Sequence, residues 1–200
     1  MAGDEDSSVA AARAAFFRDN GFPADGGYDD DFAEAEFGPV RYRVPNSKAR
    51  GDALRVHDLH HLATGYPTDW RGEAEISAWE LGGRLGVRYP YAWITVLFGI
   101  FTGLVGHLPA TFRAFRRGRR SKNLYQTHFD PAWLRARLST LQKELRDGAP
   151  RRSWLADVSS FIGWSALALA FGVIALPFVA LMVLDASRHQ IACICPFAAS

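Results

Sequence analysis

Residues 161–184, FIGWSALALAFGVIALPFVALMVL, carry no charged side chain over twenty-four positions. At about 1.5 Å of rise per residue a helix of that length reaches about 36 Å, more than the roughly 30 Å of bilayer hydrocarbon. Lipid offers no partners to the backbone, so a segment crossing it must bond internally, as an α-helix does. The stretch predicts one membrane span, with a kink at Pro177. Arg151 and Arg152 precede it, while Asp185, Arg188 and His189 follow. That bias predicts residues 1–155 on the cytoplasmic side and a short tail, 185–200, outside.

The remainder is too short for more than one domain. Residues 1–47 form an acidic segment, expected to be disordered over 1–8, with a short helix over 9–19 broken by Gly21 and Pro23. The start, MAGDEDSSVA, has neither a basic region nor an apolar run, so it is not expected to be a secretory signal. Val40-Arg41-Tyr42-Arg43-Val44 alternates weakly like a strand before Pro45. The only cysteines, Cys193 and Cys195, cannot build a disulfide framework or a Cys-based zinc module and are read as part of an inert tail.

The candidate site begins with His57-Asp58-Leu59-His60-His61. Asn46 or Ser47 caps a helix expected over 48–63, and Gly65 and Pro67 end it. At about 100° per residue, His61 stands about 40° from His57 and Asp58 about 100° from it, all on one side, with His60 bordering that face. Thr68 or Asp69 starts a second helix over 70–84, antiparallel to the first. Glu73 on its first turn then returns beside the histidines, and Glu80 faces the same way two turns on. Paired histidines with carboxylates suit Zn²⁺, and Fe²⁺ accepts such a set as well. His57, Asp58, His61 and Glu73 are the candidate ligands, carrying two negative charges against a divalent ion. Asp58 has a second possible role, orienting a ligand histidine, and Glu80 is the candidate acid or hydrogen-bond acceptor behind the site, so these two are the candidate catalytic carboxylates. His57-x-x-His60-His61 also matches a box of membrane di-iron hydroxylases, but those sites use about eight histidines for two metals and this chain has six.

Residues 90–109 are apolar, yet basic residues lie at both ends, Arg84 and Arg88 before and Arg113 to Lys122 after, which argues against a second span. Gly99, Gly103 and Gly106 line one face, open to a partner helix in a homodimer or to an acyl chain. The basic cluster Arg113, Arg116, Arg117, Arg119, Arg120 and Lys122 is expected on anionic membrane lipids rather than on nucleic acid. A further helix is expected over 131–147, with Leu134, Leu138, Leu141 and Leu145 as its core stripe. The fold class is thus all-α: a helical metal-binding domain over 48–148 and a C-terminal transmembrane helix.

The His57-Asp58-x-x-His61 motif, eleven residues and Glu73 resemble the zinc motif of the ubiquinone (coenzyme Q) biosynthesis protein four family. The resemblance extends through Thr64-Gly65-x-Pro67, Gly72-Glu73 and Glu80, and resumes at Asn123-Leu124-Tyr125, Trp133 and the LQKEL stretch, covering about 48–147. It implies an all-helical zinc protein at the inner face of an energy-conserving membrane, associated with other ubiquinone-biosynthesis proteins. It also implies removal, with oxidation, of the C1 carboxylate of a polyprenylated 4-hydroxybenzoate. The ligands carried over would be His57, Asp58, His61 and Glu73. The C-terminal span lies outside the family pattern. The alternative reading is a non-catalytic zinc- and lipid-binding scaffold for a quinone-biosynthesis complex.

Overall fold

The computed structural model describes residues 7–37, 40–146 and 153–194. Within them the chain is mostly helical, with one long apolar C-terminal helix. The expected disorder of residues 1–6, the expected stop of the 131–147 helix at Gly148-Ala149-Pro150, the basic pair Arg151 and Arg152, and Cys195 lie outside the described residues.

α1 (Val9–Asp19) is capped by Ser8, whose side chain accepts from Ala11 N–H. α2 (Lys48–Thr64) starts at Ser47 and stops at Gly65, which takes φ 76°, a conformation glycine adopts without the penalty a Cβ brings. α3 (Trp70–Gly82) starts at Asp69, whose carboxylate accepts from Gly72 N–H at 2.7 Å. α4 (Pro90–Gly106) and α5 (Leu108–Gly118) follow, and α3 packs against both. The core gathers where they meet: Leu59, Ile76, Trp79, Ile100 and Phe115 are each at most 1 % exposed.

Residues 7–31 belong to this body. Phe16 and Phe17 pack with Tyr28 and Leu54, and the Phe16 ring stacks on His61 with centroids 5.7 Å apart. Residues 7 and 8 are ordered, in contrast to the expected tail: Leu138 N–H donates to Ser7 O and Val9 N–H to Ala136 O, both at 2.9 Å. The same contact splits the helix expected over 131–147. α6 (Ala132–Arg135) stops, Ala136 is extended, and α7 (Leu138–Arg146) begins beyond it. The N-terminal backbone takes the hydrogen bonds that a continuous helix would have used. Leu138, Leu141 and Leu145 remain the buried stripe, while Leu134 is half-buried.

The weak alternation at 40–44 is a true strand. β2 (Val40–Pro45) pairs antiparallel with β1 (Phe32–Phe37), Phe32 opposite Pro45 and Phe37 opposite Val40.

α8 (Trp154–Ile194) is continuous through Pro177. Its Trp154–Met182 portion, in which an 18-residue window reaches mean hydropathy 2.3, is long and apolar enough to cross a membrane. One face docks on the domain: Phe161 on Phe112 and Phe115, Trp164 on Trp93, Gly172 against the Phe101 ring. Because Trp93 meets Trp164 and Phe101 meets Gly172, α4 and α8 run parallel there. The opposite face, with Ile162, Leu169, Val173 and Ile174, is exposed.

Two expectations about surfaces are redirected by this packing. Gly99 and Gly103 face inward: a Cβ on Gly99 would run into Ser77 Oγ, and one on Gly103 into Thr111 Oγ1. Only Gly106 opens to free space among those three. The basic cluster is largely engaged within the chain. Arg116 and Arg119 both pair at 3.2 Å with Asp157, which is 1 % exposed at the base of α8. Arg117 donates to Thr64 O and lies over Tyr66, and Lys122 pairs with Glu144. Arg113 points outward.

Candidate metal centre

Ser47, Gly65 and Asp69 fix where α2 ends and α3 begins, so the hairpin register follows from caps written in the sequence. Gly72 lets the first turn of α3 press against the Pro67 carbonyl, where a Cβ would collide. That closeness carries Glu73 to the last turns of α2. His57 Nε2 lies 3.1 Å from His61 Nε2 and 3.3 Å from Glu73 Oε2, and His61 Nε2 lies 3.4 Å from Glu73 Oε1. Each of these three residues offers one ligand atom within 4.8 Å of the others.

Hydrogen-bond partners settle two tautomers. His61 Nδ1 lies 2.9 Å from Tyr66 O, and a carbonyl only accepts, so Nδ1 carries the proton and Nε2 presents a lone pair. His60 Nε2 accepts from Leu124 N–H at 3.1 Å, so its proton is on Nδ1, which donates to Glu80 Oε1 at 2.7 Å. His57 Nδ1 reaches the same oxygen at 2.9 Å. With that proton on Nδ1, His57 Nε2 also presents a lone pair. Three acceptors then converge, a set that a proton on His57 Nε2 or a cation at their centre satisfies. A tetrahedral ion with metal–nitrogen bonds of about 2.0–2.1 Å sets its ligands about 3.3–3.4 Å apart. The two imidazole nitrogens lie 3.1 Å apart, Glu73 sets Oε2 3.3 Å from His57 and Oε1 3.4 Å from His61, and one ligand atom from each residue falls within 4.8 Å of the others, close enough to share such an ion. The residues present therefore fit a divalent ion.

The charges around the three side chains favour a protonated His57. Burial opposes charge on His57, but Glu80 and Glu73 outweigh it and hold the imidazole well above its usual value. Burial alone would raise Glu73, yet hydrogen bonds and charge from His57 and His61 bring it to about 2. Glu80 is likewise brought to about 2, mainly by His57, against its burial. His60 is lowered by burial, in keeping with its neutral tautomer.

Of the sequence-derived candidates, His57, His61 and Glu73 come together. Asp58 stands outside that set. It lies about 60° further round α2 than His61, away from Glu73. There its Oδ2 accepts from the Tyr28 hydroxyl at 2.5 Å, and burial raises its carboxyl. Glu80 lies behind His57 as an acceptor, fully buried, with no surface through which to meet a substrate. With Glu73 it supplies the two negative charges that balance a divalent ion. Sequence placed His60 at the border of the ligand face without a ligand role, and did not mark Tyr28. His60 had the same residue type as its neighbours but a core position, edge-on to Trp79 and Tyr125. Tyr28 sits thirty positions from Asp58 and no local pattern links them.

Two spaces adjoin the centre. A cavity of about 1070 Å³ is lined by Tyr28, Leu54, His57, Asp58, His61 and Glu73 among others. A groove of about 420 Å³ runs from His57 and Glu73 along α4, past Trp70, Thr95, Phe98 and Thr102.

Comparisons with protein-family models, curated proteins and solved structures give no match. The class defined by fold and site is therefore a helical protein with a candidate His/His/Glu metal centre and one apolar helix fit to cross a membrane.

Proposed function

We propose that this protein is a membrane-anchored, metal-dependent enzyme acting at ring C1 of a polyprenylated 4-hydroxybenzoate, as the resemblance to the ubiquinone biosynthesis protein four family implies. The observation that carries this reading is the convergence of three lone-pair-bearing atoms beside an apolar groove, on a domain fixed to a lipid-compatible helix. Zn²⁺ is the first candidate ion and Fe²⁺ the second. A divalent cation there supplies Lewis acidity toward a phenolate or carboxylate oxygen.

The chain's own residues do the rest. His57, His61 and Glu73 hold the ion, and Glu80 keeps the His57 ring turned toward it through Nδ1. The larger cavity receives the aromatic ring and the α4 groove takes the start of the tail. In the reaction the bond from C1 to the carboxyl carbon breaks, CO₂ leaves and the electron pair stays in the ring. A proton from water then takes the vacated position, or, in the oxidative form, O₂ takes two electrons from the ring and leaves as hydrogen peroxide while water supplies the oxygen at C1. The apolar helix keeps the domain at the cytoplasmic face of the inner membrane, where such a substrate and other quinone-biosynthesis proteins meet it.

Full-length protein in lipid, given metal and a prenylated 4-hydroxybenzoate, is expected to release CO₂, and Glu73→Ala protein is not. Metal-loaded protein that binds the lipid without releasing CO₂ overturns the enzyme reading in favour of the scaffold.

A further inference from the structure

Zinc sites that only support a fold are closed by four protein ligands, while catalytic ones keep a position open. Here the fourth ligand suggested by the motif, Asp58, is engaged elsewhere. Its Oδ2 accepts from Tyr28 Oη at 2.5 Å, within the range of a short charge-assisted bond. Tyr28 is itself held from several directions. Its ring is 5 % exposed and lies where a Cβ on Gly26 would come within 2.6 Å of it. Arg55 covers the ring at 4.7 Å and Phe17 meets it edge-on. Its carbonyl rests against Gly51 and accepts from Asn46 Nδ2 at 3.2 Å, which also bonds Gly27 O at 2.9 Å. A tyrosine so fixed does not follow a moving carboxylate.

We propose that Tyr28 is a positioning residue that holds Asp58 off the metal, so that His57, His61 and Glu73 leave a coordination position open toward the large cavity. The proposal rests on the metal-centre reading and adds what sets the coordination number. The open position faces the cavity that Tyr28 and Asp58 line together with the three ligands, so it takes a small oxygen or nitrogen donor: water, or a phenolate or carboxylate of the substrate. Without the tyrosine hydroxyl, Asp58 is free to swing in and close the site.

The test uses the full-length protein in detergent, with Co²⁺ as the spectroscopic ion and azide as the probe of an open position. Wild type is expected to bind Co²⁺ and shift its visible absorption on adding azide. Asp58→Asn is expected to leave Co²⁺ affinity unchanged, because Asp58 is not a ligand. Tyr28→Phe, which keeps the ring and its packing, is expected to bind Co²⁺ roughly tenfold more tightly and lose the azide response. The double variant is expected to return to wild-type affinity and response. A purely structural Tyr28 would alter melting but not the azide response. Tyr28→Phe that matches wild type in both readouts overturns the proposal. So does an Asp58→Asn that weakens Co²⁺ binding as much as Glu73→Gln, which needs no folded Tyr28 variant. Wild type that takes up no Co²⁺ overturns the metal centre and the proposal together, whereas the two preceding results leave the metal centre standing.

Discussion

Removing Glu80 tests the buried network most severely. Its Oε1 accepts from His57 Nδ1 at 2.9 Å and His60 Nδ1 at 2.7 Å, and its side chain is 0 % exposed. Glu80→Ala leaves two buried imidazole N–H groups without an acceptor, one of them on a charged ring. Taking one partner from a buried ion pair costs about 3–5 kcal/mol. For a chain of this length each kcal/mol lowers Tm by about 2–4 °C, so the expected drop is about 6–20 °C. Glu80→Gln keeps the shape and one acceptor oxygen, but removes the charge and sets an amide N–H₂ where Oε2 has no hydrogen-bond partner. Losing a charged hydrogen bond costs about 1.5–3 kcal/mol, so Gln falls between wild type and Ala. Thermal melting of detergent-solubilised, metal-free protein followed by near-ultraviolet circular dichroism measures both. Glu80→Ala melting within about 2 °C of wild type would refute the network as described.

Three further predictions concern pH and the packing of α4. Metal must displace the proton on His57 Nε2, and that imidazole is held well above its usual value, so affinity for a divalent ion rises with pH through and beyond about 6.5. Calorimetry in buffers of different ionisation heat is expected to show about one proton released per ion, and affinity flat between about pH 6 and 8 would contradict it. Glu73 and Glu80 do not add to that slope, since both are lowered to about 2. Their depressed values stabilise the metal-free fold above their unfolded range, a contribution lost as pH falls from about 4.5 toward 2. The His57 contribution has the opposite sign, present below about 6.5 and lost as pH rises through its raised value. Along α4, Gly99→Val is expected to lose about 1–3 kcal/mol through the clash with Ser77, while Gly106→Ala, with open space around it, stays near wild type. Equal losses in urea or thermal melts would mean that the glycine face points outward.

Much of the centre was legible because it is local. Caps at Ser47, Gly65 and Asp69 place two helices within a residue or two, and the turn between them is too short for any arrangement but antiparallel neighbours. Spacing alone then brings His57, His61 and Glu73 together. The apolar run from Phe161 was equally plain, since length and absence of charge are its whole signal. What stayed hidden depends on partners distant in sequence. Asp58 turns away because Tyr28 waits for it, and His60 locks onto the Leu124 amide sixty-four residues on. The β1–β2 pair needs two weak strands to find each other. The break at Ala136 is imposed by residues 7–9, against a leucine stripe that reads as one helix. Arginines of the basic cluster read as a surface patch because Asp157, their buried partner, lies some forty residues later in the apolar helix.

Metal content, measured by elemental analysis of folded wild type beside Glu73→Ala, His61→Ala and Asp58→Asn, bears most directly on the centre. The account predicts about one divalent ion per chain in wild type and Asp58→Asn, and little in the other two. Wild type free of metal after exposure to Zn²⁺ or Fe²⁺, or full occupancy surviving the loss of both His61 and Glu73, would contradict it.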